Sequence, residues 1–393
     1  MTDREVGLDR LRGLGVLAVF TLHWCVPYMR HAPAWWYVAD ADGSIVLSAL
    51  AALLDATAIP LLFTLAGYFT GPSLERHGAL AFVRARAHRL GLPLILGVAL
   101  VVPPTTWLYA GSRGLSTDLW GFWTRGFWGA PFNQGVYWYL GVLLSFGAVA
   151  ALASVVRRPG LPPASPPPLP FPPVALLVPA LFAAGMAIGT PLDEWRHTPL
   201  LAFQPARLPV YACLYAFGLH AWRSGWRPES AAPAPWTPLL TALGAATFLF
   251  LGIRADRVAG AADRVVLACA YSTLSGLFVL TALRAAPALA KARSKALDSL
   301  AHNAFGIYLL HLPPLLMCTL AARNLDLPLW PRALGVHVAA LGATWTVCLA
   351  YDGWHAGREA ARTRKAGAQR GLSGSRGEGA SPPPGGRALH GVR

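Results

Sequence analysis

An all-α, polytopic integral membrane bundle of about ten helices is the architecture that this sequence predicts. Three observations carry that prediction. Of 393 residues, 55% are apolar and only 13% charged, where a water-soluble domain carries about 25% charged residues. The apolar residues, with a mean hydropathy of +0.45, gather into ten runs that approach the ~20 residues a helix needs to cross a bilayer. Finally, 30 of the 33 basic residues are Arg and lie between those runs, as a topology signal does. The net charge of +15 is thereby explained without nucleic acid. The 39 Gly, 34 Pro and 15 Trp suit membrane helices and their interfacial belts, and the absence of a G-X-Y period excludes collagen.

The runs are residues 11–29, 45–71, 90–110, 135–156, 172–190, 208–222, 236–253, 264–283, 302–322 and 333–352. The first follows Asp9-Arg10-Leu11-Arg12 and has no clean A-x-A-like cleavage site after it, so it is expected to stay as the opening helix. The second is long enough to tilt, or to break at Pro60. The sixth is the shortest. Between the fourth and fifth runs lies PGLPPASPPPLPFPP at 159–173; its prolines remove donors and restrict their neighbours, which predicts an extended inner linker. Residues 365–393 are Gly/Pro/Ser-rich without apolar period, so an unstructured basic tail is expected from about 357 onward, behind a membrane domain at 1–356. With the N-terminus inside, inner segments hold 23 Lys and Arg and outer loops 10. That asymmetry predicts two cytoplasmic termini and a cell (inner) membrane location.

Ionisable side chains inside an apolar span cost about 2.5–3.5 kcal/mol each on insertion scales and invite a functional reading. Arg12 and His23 are 11 residues apart, a rotation that returns to within about 20° after three helical turns. Asp9 lies one turn before Arg12. An Asp-Arg-His stripe therefore runs up one helix face, with the imidazole ~16 Å above the guanidinium. The alternative is an Arg that snorkels at a helix end and a His bonded to a neighbouring helix. Asp55 in the second run needs a cationic partner or an interfacial position. His311 follows Tyr308 by three residues, so both project to one side of a late helix. Trp138 and Tyr139 suit either an interfacial belt or a pocket wall. The five cysteines sit in apolar segments with no C-x-x-C and no metal-ligand spacing, and no phosphate-loop, dinucleotide or H-E-x-x-H motif occurs.

The opening GLDRLRGLGVLAVFTLHW, with Asp9, Leu11, Arg12 and His23, resembles the start of the acyltransferase-3 family of membrane enzymes. Four further stretches agree in order: IPLLFTLAGYF at 59–69, FVRARAHRLGLPLILGVALVVP at 82–103, VYWYLGVLL at 136–144 and AFGIYLLHLPPLL at 304–316. The sequence departs from the family pattern at Ala66, where Ser usually precedes Gly-Tyr or Gly-Phe, and at Ala304, where a small hydroxyl residue is common. The resemblance implies acyl-CoA as co-substrate, with no bound cofactor and no metal, and a carbohydrate or natural-product hydroxyl as acceptor. It casts His23 as general base, oriented with the help of Arg12 and Asp9, or as an acyl-carrying nucleophile. Arg84, Arg86 and Arg89 would bind the CoA phosphates, or else serve only as anchors at the inner membrane surface, where the topology rule alone places Arg. Asp55, Tyr68, Trp138, Tyr308 and His311 are candidate pocket residues. Two other classes remain open at this point, a transporter or flippase and a non-catalytic membrane scaffold.

Overall fold

A computed structural model describes residues 3–112, 114, 118–156, 172–198, 200–226, 236–255 and 260–374. The chain divides into two compact units, Met1–Thr344 and Trp345–Arg393. All ten apolar runs are helical. Among the described residues, six helical stretches are long and apolar enough to cross a membrane: Val6–Tyr28, Ile45–Gly111, Gly135–Val156, Trp236–Ile253, Ala261–Lys291 and Leu329–His355. A bent pair, Lys295–Leu310 with Leu312–Ala322, makes a seventh. The 67-residue stretch Ile45–Gly111 holds two of the expected runs. Of the two others, Leu208–Arg223 is too short for that test at 16 residues, and the helix Pro172–Gly189 contributes the shorter apolar stretch Val178–Gly189. The molecule is an all-α polytopic membrane bundle.

Helix α1 (Asp3–Cys25) passes into a short 3₁₀ turn at Val26–Tyr28, started by Pro27. Ser44 caps α2 (Ile45–Arg86) by accepting from the amides of Val46 and Leu47. The rod of α2 is interrupted at Gly78, whose φ of +74° is a backbone position that suits only glycine. Short helices α3 (Leu92–Leu96) and α4 (Val102–Ser112) follow, separated by π-helical turns at Ala87–Gly91 and Gly97–Val101. Asp118 caps α5 (Leu119–Gly121). Then come α6 (Trp138–Val156), α7 (Pro172–Gly189), a two-residue hairpin β1 (Arg196–His197) and β2 (Ala202–Phe203), and α8 (Leu208–Arg223). The rest is α9 (Trp236–Ala255), α10 (Ala261–Lys291), α11 (Lys295–Leu310), α12 (Leu312–Ala322) and α13 (Leu329–Gly374).

Helix α7 begins at Pro172, inside the segment expected as linker; residues 159–171 lie outside the described residues. Helix α13 continues past the expected start of the tail to Gly374, because 355–370, HAGREAARTRKAGAQR, is dominated by Ala, Arg, Glu, Lys and Gln, which favour helix. Residues 375–393 lie outside the described residues.

Helix α1 packs on α2, α10 and α11, and α2 packs most extensively on α8. The α2–α8 crossing is close because two glycines face it. A Cβ on Gly67 would collide with the carbonyl of Tyr215, and one on Gly218 with the carbonyl of Thr64, the small-residue device by which membrane helices approach. Arg10 of α1 is buried. It is 6% exposed, bonds Asp298 through Nε at 2.9 Å, and donates to the carbonyls of Leu289 and Ala292, which pins the break between α10 and α11. Large apolar side chains such as Leu80, Val149, Leu152, Leu239 and Val338 point outward, where lipid, not water, is the favourable neighbour.

Candidate active site

Two cavities lie toward opposite ends of α1, and the chemistry of their linings differs. The first, of about 530 Å³, is lined by Asp9, Arg12 and Val16 of α1, by α2 through Arg86, by Arg89, by Tyr139 of α6 and by Tyr308 of α11. The pair at one helical turn forms as expected: Arg12 Nη1 is 3.1 Å from Asp9 Oδ1, and Arg12 Nη2 donates to the Ala301 carbonyl at 3.3 Å. Arg86 donates to Thr70 Oγ1 at 2.8 Å, which is bonded in turn to the Tyr215 hydroxyl at 2.7 Å. Its guanidinium carbon sits 4.8 Å from the centroid of Phe82, and that of Arg89 lies 6.0 Å from Phe305. Two of the three predicted phosphate-binding arginines thus share a cavity with Arg12. Arg84 is exposed and does not line it. Ala66 and Ala304, the departures from the family pattern, both face this basic cavity.

The second cavity, about 830 Å³, is lined by His23 and by aromatic side chains that include Trp35, Trp36, Tyr37, Trp138 and Trp195. Asn133, Asp193, Glu194 and His197 supply its polar groups. Trp138 meets Trp195 edge to face at 5.3 Å, Trp195 lies over His197 at 6.0 Å, and Trp36 lies over His23 at 5.5 Å. Among the described residues no Lys or Arg lines it, although Arg196 pairs with Glu194 at 2.6 Å.

A thin wall of side chains and backbone stands between the cavities. His23 Nδ1 lies 2.8 Å from His311 Nε2, and His311 Nδ1 lies 2.7 Å from the Tyr308 carbonyl oxygen. The Tyr308 hydroxyl donates to the Val136 carbonyl, and the Tyr137 hydroxyl donates to the Leu309 carbonyl at 2.8 Å. The start of α6 is thereby stitched to the end of α11. Adjacent residues of α6 take opposite sides, since Trp138 faces the aromatic cavity and Tyr139 the basic one. His311 owes its place to Pro313 and Pro314. Neither can continue the hydrogen-bond ladder of α11, and the chain turns by 68° at His311.

Other predicted residues lie elsewhere. Asp55 forms an ion pair with Arg207, whose guanidinium also packs 5.0 Å from the Tyr271 ring, and it lines neither cavity. Tyr68 is buried, edge-on to Phe69 and Trp222. Trp36, Trp195, Asn133 and His197 were not foreseen. They come from the connections 29–44, 127–134 and 190–207, where apolar periodicity gives no guide to single residues; the signals are the density of Trp in PAWWY and DEWRH and the place of 111–134 and 190–207 among the outer loops, where acceptor specificity is expected. Among the described residues, no group of three His, Cys, Asp or Glu side chains is placed to hold a metal ion.

The fold defines a polytopic membrane protein with two ligand-sized cavities, one bordered by His23 and the other by Tyr308, whose carbonyl is bonded to the His311 partner of His23. The chain matches the family described as an acyltransferase domain, acyltransferase-3, over residues 5–352, and belongs to that family. It is therefore a membrane acyltransferase that moves an acyl group other than an aminoacyl group. No curated protein and no solved structure gives a match to it.

Proposed function

We propose that this protein moves a short acyl group from acyl-CoA, held in the basic cavity, to a hydroxyl of a carbohydrate or small natural product held in the aromatic cavity. The observation that carries the reading is the position of His23 at the wall, 2.8 Å from His311, which borders the acceptor side while its neighbours reach the donor side. Arg12, Arg86 and Arg89 offer guanidinium groups to the CoA phosphates, and Asp9 holds Arg12 in place. Flat Trp faces suit the apolar faces of sugar rings or a polyketide, while Asn133, Asp193 and Glu194 can bond hydroxyls. The excess of Lys and Arg on the side of Arg12 favours a cytoplasmic donor end, a cell-membrane location and an acceptor approaching from the other face.

In this scheme the acceptor oxygen attacks the thioester carbonyl while His23 Nε2 takes the hydroxyl proton. A C–O bond forms, the C–S bond breaks, and the proton passes from His23 to the departing CoA sulfur. Mass spectrometry of surface glycans and secreted metabolites, from cells carrying wild-type or His23→Ala protein, tests it. Loss of one acyl mass in the variant is expected; an undiminished product would remove the base role.

A further inference from the structure

We propose that His311 is a positioning residue that fixes the tautomer of His23, so that Nε2 presents its lone pair to the acceptor; this rests on the reading of His23 as the base. The assignment follows from donor and acceptor rules. Nδ1 of His311 lies 2.7 Å from the Tyr308 carbonyl oxygen, and a carbonyl only accepts, so that nitrogen carries hydrogen. In the neutral ring Nε2 is then an acceptor. Its partner at 2.8 Å is Nδ1 of His23, which must donate. The remaining nitrogen of His23, Nε2, is left with the lone pair. The opposite tautomer of His23 would set two lone pairs against each other across the same 2.8 Å.

The ring geometry supports a real bond. The two imidazoles are 7° from parallel with centroids 5.0 Å apart, while the bonded nitrogens are closer than two stacked faces can come. The contact is therefore edge to edge, in nearly one plane, which points the N–H at the lone pair. Neither ring is free to swing away. His311 is 1% exposed, its amide donates to the Ile307 carbonyl at 3.0 Å, and Phe20 meets its ring edge-on at 6.2 Å. Trp36 covers His23, with the planes 22° apart.

During transfer His311 neither gains nor loses a proton. When Nε2 of His23 accepts the hydroxyl proton, its Nδ1–H bond to His311 becomes charge-assisted and strengthens. His311 thus stabilises the imidazolium besides orienting the neutral ring, the work that a buried third group does for a histidine base elsewhere.

The test uses full-length, ¹⁵N-histidine-labelled protein in lipid nanodiscs, with no ligand. Ring-nitrogen NMR shifts separate a protonated nitrogen from one with a lone pair, and the His23 signals are assigned by their loss in His23→Gln. Wild-type protein should show hydrogen on Nδ1 and a lone pair on Nε2. His311→Gln should keep that pattern, because its side-chain oxygen can replace Nε2 as acceptor, whereas His311→Phe should give a mixture of tautomers. In cells, acyl product measured by mass spectrometry should fall about 100-fold in His311→Phe and recover to within about tenfold of wild type in His311→Gln. Hydrogen on Nε2 in wild type, an unchanged tautomer in His311→Phe, or a folded His311→Gln no better than His311→Phe would each overturn the proposal. A fully active His23→Ala would instead overturn the base reading, which the ligand-free tautomer measurement does not presuppose.

Discussion

The basic and aromatic cavities are built by different parts of the chain. The basic cavity takes Arg12, Arg86, Tyr139 and Tyr308 from the long helices α1, α2, α6 and α11. The aromatic cavity takes Trp35, Trp36, Asn133, Asp193 and Trp195 from connections between helices. Helix-borne groups are held in register by packing along the whole bundle, whereas connection-borne groups can be exchanged without disturbing it. That division suits a reaction with an invariant polyanionic donor and a variable acceptor. The π-helical turns follow the same boundary. Arg89 and Leu90 of the turn at Ala87–Gly91 face the basic cavity, and Phe122 of the turn at Phe122–Gly126 faces the aromatic one. Such turns leave carbonyls off the regular ladder, and the Trp123 indole satisfies one of them, donating to the Ala99 carbonyl at 2.7 Å.

If the cavities divide the labour this way, substitutions should separate by cavity. The largest effect belongs to the wall: His23→Ala should lower acyl transfer by about 10²–10⁴ while leaving donor binding intact, measured as CoA thiol release and as acyl-CoA affinity in nanodiscs. Next, Arg86→Ala or Arg12→Ala should raise the KM for acyl-CoA by roughly 10- to 100-fold, since each bond to a charged group contributes about 1.5–3 kcal/mol. Acceptor KM should not move. Arg84→Ala, on the exposed side, should change either KM less than about twofold. Trp195→Ala should do the reverse of the arginine changes, raising acceptor KM by roughly 2- to 10-fold with donor KM unchanged, as expected for one lost aromatic face worth about 0.5–1.5 kcal/mol. Smallest in its effect on chemistry is Gly67→Ala. It should cost about 1–3 kcal/mol of stability at the α2–α8 crossing, seen as a lower Tm, with both KM values retained in the folded fraction.

The sequence exposed one cavity far better than the other, for a physical reason. Helical period relates Asp9, Arg12 and His23 by simple rotation, and the cost of placing charge in an apolar run singles out Arg12 and His23 before any contact is seen. The same logic found Asp55 but could not find Arg207, which stands just outside a run and supplies the counter-charge. Nor could it find the partners of the buried Arg10, since Asp298 and the two carbonyls it bonds lie 279 to 288 positions away in the chain. The pairing of His23 with His311 joins residues 288 positions apart. No local period encodes it. Nor does any period place Trp36 against His23, since residues 29–44 run largely without regular helix. The ten helical runs were legible because apolar length suffices to mark them; the broken geometry of 87–112 was not, because π-helical turns leave the composition unchanged.

The division of labour between the cavities is tested most directly by photo-crosslinking. An acetyl-CoA analogue with a photoreactive adenine would be bound to the full-length protein in nanodiscs, irradiated, and the adducts located by peptide mass spectrometry. Adducts on the segments that carry Arg12, Arg86, Tyr139 and Tyr308 are the expected result, competed away by acetyl-CoA. Adducts confined to Trp35–Tyr37 and to residues 190–197 would place the donor in the aromatic cavity and contradict the account.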